Sequence, residues 1–145
     1  MPQLRPGMNL DVEDVDVSAN FSLALVVGKS HINRLVVSKI VERSGLRAVL
    51  EAPETASSAL RNLRPAVVIL DGGPENSDCD AALIEIAEQR RAFGGSLPLV
   101  ILLSTRNRTP GELSHSRAID AVVAKPFTPE SLQPVVERLL SQVRG

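Results

Sequence analysis

The sequence predicts an α/β domain built on a parallel sheet of strand order 2-1-3-4-5, with helices on both faces. Short, almost wholly apolar runs at residues 23–27, 66–70 and 98–103 read as strands buried on both sides. Segments with helical apolar spacing lie between them, so five strand patterns alternate with five helix patterns. Right-handed crossovers leave few arrangements for such a chain, and the doubly wound order is the favoured one at this size. The run Val67-Val68-Ile69-Leu70 ends abruptly in Asp71-Gly72-Gly73, a carboxylate and two glycines. The carboxyl end of a central strand is where open α/β sheets place their chemistry.

Composition narrows the function classes. At 145 residues the chain holds one domain, and 43% apolar content supports one core. The only aromatics are Phe21, Phe93 and Phe127, so the core is aliphatic and no stacking platform for bases or sugars is present. A formal charge of −1 without a dense basic stretch argues against a nucleic-acid-binding domain. The single Cys79 excludes an intramolecular disulfide, which fits a reducing cytoplasm. It stands in a polar loop with no base beside it and is not read as a nucleophile. No apolar run reaches the ~18 residues of a membrane span, and no signal-peptide core opens the chain. A cytoplasmic protein without a membrane partner is expected.

Residues 1–20 read as a flexible, solvated tail ahead of a domain spanning 21–145. Its stretch 9–17 alternates acidic and apolar residues without a clear amphipathic period. The first strand, 23–27, is stopped by Gly28. Ser30 caps a helix in which Ile32, Leu35, Val36, Ile40 and Val41 share one face, with Gly45 as its stop. A weaker strand follows at 47–51. Pro53 opens a second helix with Ala56, Ala59, Leu60 and Leu63 inward, closed by Pro65. After the central strand and a polar loop, Asp80 caps a third helix with Leu83, Ile86 and Ala87 inside. Thr109-Pro110-Gly111-Glu112 is a capping box that opens a short, polar fourth helix. The last strand is 121–124, and Thr128-Pro129 starts a fifth helix. Its stripe of Leu132, Val135, Val136, Leu139, Leu140 and Val143 is the cleanest in the chain. In the expected strand order the ends of strands one, three and five meet on one rim, bringing together Gly28-Lys29, Asp71 and Lys125.

These residues carry a family resemblance. The stretch Leu25-Val26-Val27-Gly28-Lys29-Ser30-His31-Ile32-Asn33-Arg34, the strand ending in Asp71, and Val123-Ala124-Lys125-Pro126-Phe127 follow one another at characteristic spacing. Over about residues 22–143 the chain resembles the receiver domain of two-component response regulators, a flavodoxin-like (βα)5 fold. The resemblance implies a phosphoacceptor at Asp71, a phosphate-pairing lysine at Lys125 and a Lys125–Pro126 peptide that is usually cis. It implies two acids after the first strand to hold Mg²⁺, and here those positions are Gly28 and Lys29. The hydroxyl residue that follows the phosphoryl group falls on Leu103, and Ser104 could serve only through a register shift. The switching aromatic falls on Val122. The site is therefore that of a degenerate or pseudo-receiver.

Losing two acids and gaining Lys29 favours an ion pair of Asp71 with Lys29 or Lys125 over a metal. At ~4 Å and an effective dielectric of 20 such a pair interacts by about 4 kcal/mol before desolvation. Glu75, Asp78 and Asp80 read as solvated or capping acids, and His31 and His115 lack a third ligand for zinc. No catalytic residue, metal or cofactor is assigned. The expected function is a stand-alone, non-enzymatic signalling module in a phosphorelay that works by protein contact. The alternative is a functional receiver phosphorylated on Asp71 by a dedicated histidine kinase or phosphotransferase. Partners implied by the resemblance are such a kinase, a phosphotransferase or a downstream regulator, docking on helix four, strand five and helix five, with room for a weak homodimer.

Overall fold

A computed structural model of the chain describes residues 20–71, 80–92, 97–104 and 119–144. In chain order the elements are β1 (Asn20–Gly28), α1 (His31–Arg43), β2 (Arg47–Glu51), α2 (Ala56–Leu63), β3 (Pro65–Asp71), α3 (Asp80–Ala92), β4 (Leu99–Ser104), β5 (Ala121–Ala124) and α4 (Pro129–Arg144). The five strands form one parallel sheet in the order β2-β1-β3-β4-β5. The predicted fold class and strand order are those of the structure. The helix expected from Thr109 and the tail before Asn20 lie outside the described residues.

Period-two alternation divides the strand side chains between two cores. Ala24, Val26, Val67, Ile69, Ile101, Leu103 and Val123 face α1 and α4. Leu25, Val27, Val68, Leu70, Val100 and Leu102 face α2 and α3. All seven positions of β3 are buried, as a central strand covered on both faces requires. Its first residue is Pro65, the one place in such a strand where a missing N–H costs no ladder bond.

The helix ends obey local chemistry. Ser30 accepts from the Asn33 amide at 3.1 Å to cap α1, and Gly45 closes it with φ +88°. At the start of α4, Thr128 Oγ1 accepts from the Ser131 amide at 3.1 Å while Ser131 Oγ accepts from the Thr128 amide at 2.9 Å. That is a reciprocal cap, with serine in the place usual for glutamate. Pro53 opens a single 3-10 turn, Pro53–Thr55, rather than α2 itself. α2 ends at Arg64 in the left-handed region (φ 48°), ahead of Pro65.

α1 presents a different face to the core from the one its apolar spacing predicts. Val37, Ile40 and Val41 are buried, but Ile32, Leu35 and Val36 are 72%, 43% and 43% exposed. The inward stripe begins instead with the half-buried polar residues Asn33 and Arg34, which precede Val37 and Val41 at helical spacing. Their side chains have partners at the carboxyl end of the sheet, and this sets the roll of the helix. A rule that counts only apolar positions places the stripe on the wrong side.

Candidate functional site

Strand register assembles one row at the carboxyl edge of the sheet. Gly28 is the register partner of Asp71, and Asp71 is the partner of Leu103. In a parallel sheet such partners project to the same face, here the one covered by α1 and α4. Lys125 follows β5 two residues after Val123 and returns to this row. Its amide donates to the Ser104 carbonyl at 2.8 Å, and the Lys125–Pro126 peptide is cis.

Asp71 is the buried acid of the row, with its side chain only 5% exposed. One carboxylate oxygen takes the Lys125 ammonium at 2.6 Å, and the other accepts from the Asn33 side-chain amide at 3.0 Å. A buried carboxylate needs such charged or amide donors to offset desolvation. Arg34 donates to the carbonyl of Gly28 and approaches His31 Nδ1 at 3.5 Å. The first turn of α1 is thus tied to both β1 and β3 at the rim.

Gly28 is more than a position without a carboxylate. A Cβ built there would lie 2.8 Å from Asp71 Cβ, a separation real Cβ atoms essentially never show, and a tight 3.3 Å from its Oδ2. The two strand ends are drawn together so that Asp71 fills the volume a side chain at residue 28 would need. Lys29, next in the chain, is exposed, whereas the described partners of Asp71 are Lys125 and Asn33. Among the described residues no three His, Cys, Asp or Glu side chains converge as metal ligands.

The remaining positions follow strand parity. Leu103 is wholly buried in the row of Asp71 and contributes to the α1/α4 core. Ser104, also wholly buried, belongs by alternation to the opposite face. A one-residue slip of β4 would be needed to bring its hydroxyl into the row, and it would turn every core side chain of that strand around. Val122 is half-buried and packs on the α2/α3 side. An open pocket of about 490 Å³ adjoins the site, lined by Asn33, Val36, Lys125, Pro126 and Phe127.

Asn33 and Arg34 are site residues that apolar patterning does not mark. Their signal is positional: three and four residues after a capping serine, a helix side chain points back over the strand end that precedes it.

No family model matches the sequence, and no curated protein matches it. Solved structures do. The fold is similar to that of a response regulator from Thermotoga maritima, with 22% identity, 84% of this chain and 99% of that one covered, and a TM-score of 0.65. It is similar to the chemotaxis response regulator CheY4 of Vibrio cholerae, with 20% identity, 83% and 99% coverage and a TM-score of 0.64. NtrX from Brucella abortus matches at 24% identity over 86% of this chain and 28% of that one, with a TM-score of 0.67. The chain has the receiver fold of response regulators.

Proposed function

We propose that this chain is a receiver-like signalling module that acts through protein contact, in which Asp71 serves as a structural ion pair and not as a metal-dependent phosphoacceptor. The observation that carries the reading is the state of Asp71, buried, bonded on both oxygens by Lys125 and Asn33, and pressed against a glycine. Phosphoryl transfer to a carboxylate needs a cation to neutralise the incoming group and a clear approach to the attacking oxygen. Gly28 and Lys29 offer no carboxylate for Mg²⁺, and a cation there would displace the Lys125 bridge or share its oxygen. Accordingly no metal or other cofactor belongs to the proposed function, and no enzymatic step.

Contact surfaces follow from the same reading. A histidine kinase, a phosphotransferase or a downstream regulator would meet the domain through β5 and α4, together with the segment after Thr109. Among the described residues no helix is long and apolar enough to cross a membrane.

The test is direct. The full chain is incubated with Mg²⁺ and a small phosphodonor such as acetyl phosphate, and Asp71 is followed by intact-mass and peptide mass spectrometry. The expected result is no phosphoryl adduct. A Mg²⁺-dependent adduct that disappears in Asp71→Asn overturns the reading and establishes the alternative, a receiver phosphorylated on Asp71 by a dedicated donor.

A further inference from the structure

The exposed side of α1 is a stripe with two chemically distinct halves. At the end near Asp71 it carries Ile32, Leu35 and Val36, the last of which also lines the pocket beside Lys125. At the other end, on the same side of the helix, it carries the exposed Lys39 and Arg43, with Glu42 as the one acid among the exposed positions of α1. Most large apolar side chains of the described residues are buried, so three exposed ones within five positions of one helix mark a contact surface.

The chain itself contains a segment with the complementary order. Reading back from Asn20, the acids Asp16, Asp14, Glu13 and Asp11 come first, interleaved with Val17, Val15 and Val12, and then Leu10 and Met8. β1 begins at Asn20 at the amino end of the sheet, and α1 runs back along it to finish at Arg43 near that same end. A chain leaving Asn20 toward the site would therefore meet Arg43 and Lys39 first and Val36, Leu35 and Ile32 last. The distance suits it. β1 spans ~26 Å at about 3.3 Å per residue, and about ten extended residues cover ~33 Å.

We propose that residues 8–17 dock on the exposed stripe of α1, with the acids against Lys39 and Arg43 and with Met8 and Leu10 against Ile32, Leu35 and Val36. A second copy of the chain fits the stripe less well. Pairing two α1 helices in parallel sets Lys39 and Arg43 against their own copies, and antiparallel pairing sets cations against Ile32 and Leu35. The proposal does not depend on whether Asp71 is phosphorylated.

The experiment uses the full ¹⁵N-labelled chain with Cys79→Ser and Val12→Cys, the new thiol carrying a nitroxide. The expected result at low salt is broadening of the amides of α1 from Ile32 to Lys39, with α3 spared. Replacing Asp11, Glu13, Asp14 and Asp16 by Asn or Gln in the same chain should abolish it. So should raising the salt from about 0.01 M to about 1 M, which shortens the Debye length from ~30 Å to ~3 Å. Absence of broadening overturns the proposal, as does broadening that survives neutralisation of the acids. Broadening that also appears when spin-labelled unenriched chain is mixed with unlabelled ¹⁵N chain identifies a second copy as the donor and overturns it as well.

Discussion

Two acids hold the two ends of the same sheet, and they do so by different means. At the amino end, Asp120 accepts from the Val100 amide at 2.7 Å and pairs with Arg90, while its own amide donates to the Val100 carbonyl at 2.9 Å. Arg90 in turn donates to the Pro98 carbonyl at 3.1 and 3.2 Å. That cluster satisfies main-chain groups of β4 just before the first β4–β5 ladder pair, Ile101 with Ala121. At the carboxyl end, the described partners of Asp71 are both side chains, Lys125 and Asn33. An acid bonded to backbone belongs to the scaffold. An acid whose described partners are side chains on neighbouring elements can be altered while the strands stay in place, and so the carboxyl rim is where function has room to change.

The largest effect expected from this contrast is at the amino end. Asp120→Ala leaves the Val100 amide without its carboxylate and removes a partner of Arg90, a largely buried cation. It should lower unfolding stability by about 2–3 kcal/mol, read as a shift in the urea midpoint. A loss no larger than that of Asp71→Ala would erase the distinction between the two acids.

Next comes the packing of the rim itself. Gly28→Ala introduces a Cβ into contact with Asp71 Cβ, an overpacking expected to cost about 1–3 kcal/mol. The same change made in an Asp71→Gly background should cost markedly less, because the opposing atom is gone. Equal costs in both backgrounds would mean that the strand ends part freely. The comparison also bears on restoring acids to the site: Lys29→Asp returns a carboxylate without touching the strand contact, whereas Gly28→Asp must first push β1 and β3 apart.

The smallest stability effect is that of Asp71→Ala, about 1–2 kcal/mol by the same denaturation. Lys125 sits on a flexible stem with 17% of its side chain exposed and can carry its ammonium to water once the carboxylate is gone. Asn33 loses its acceptor, and protection of the first turn of α1 against hydrogen exchange should fall with it. Undiminished protection there would show that Asn33 does not anchor the helix.

The sequence made the scaffold legible wherever an apolar run met a stop residue. The run into Asp71, the turn at Gly45 and the Thr128 start of the last helix are local signals with local causes, and they stand in the structure as expected. The strand-four position singled out in the sequence, Leu103, is the register partner of Asp71. What escaped the sequence depends on contacts across the fold. The roll of α1 is set by Asn33 and Arg34 meeting groups on β3 and β1, and periodicity alone does not distinguish a polar anchor from a solvated face. The closeness of Gly28 to Asp71 is likewise a matter of two strand ends meeting, invisible in either strand alone.

In the proposed function Asp71 is engaged by protein donors in place of a metal. Titrating the full chain with Mg²⁺ while following amide shifts tests that most directly. The reading predicts no saturable response at Gly28, Asp71 or Lys125, only the small linear drift of added salt. A saturable millimolar response centred on Asp71 and abolished by Asp71→Asn would contradict it, since the cation would then have displaced the Lys125 bridge or shared its oxygen.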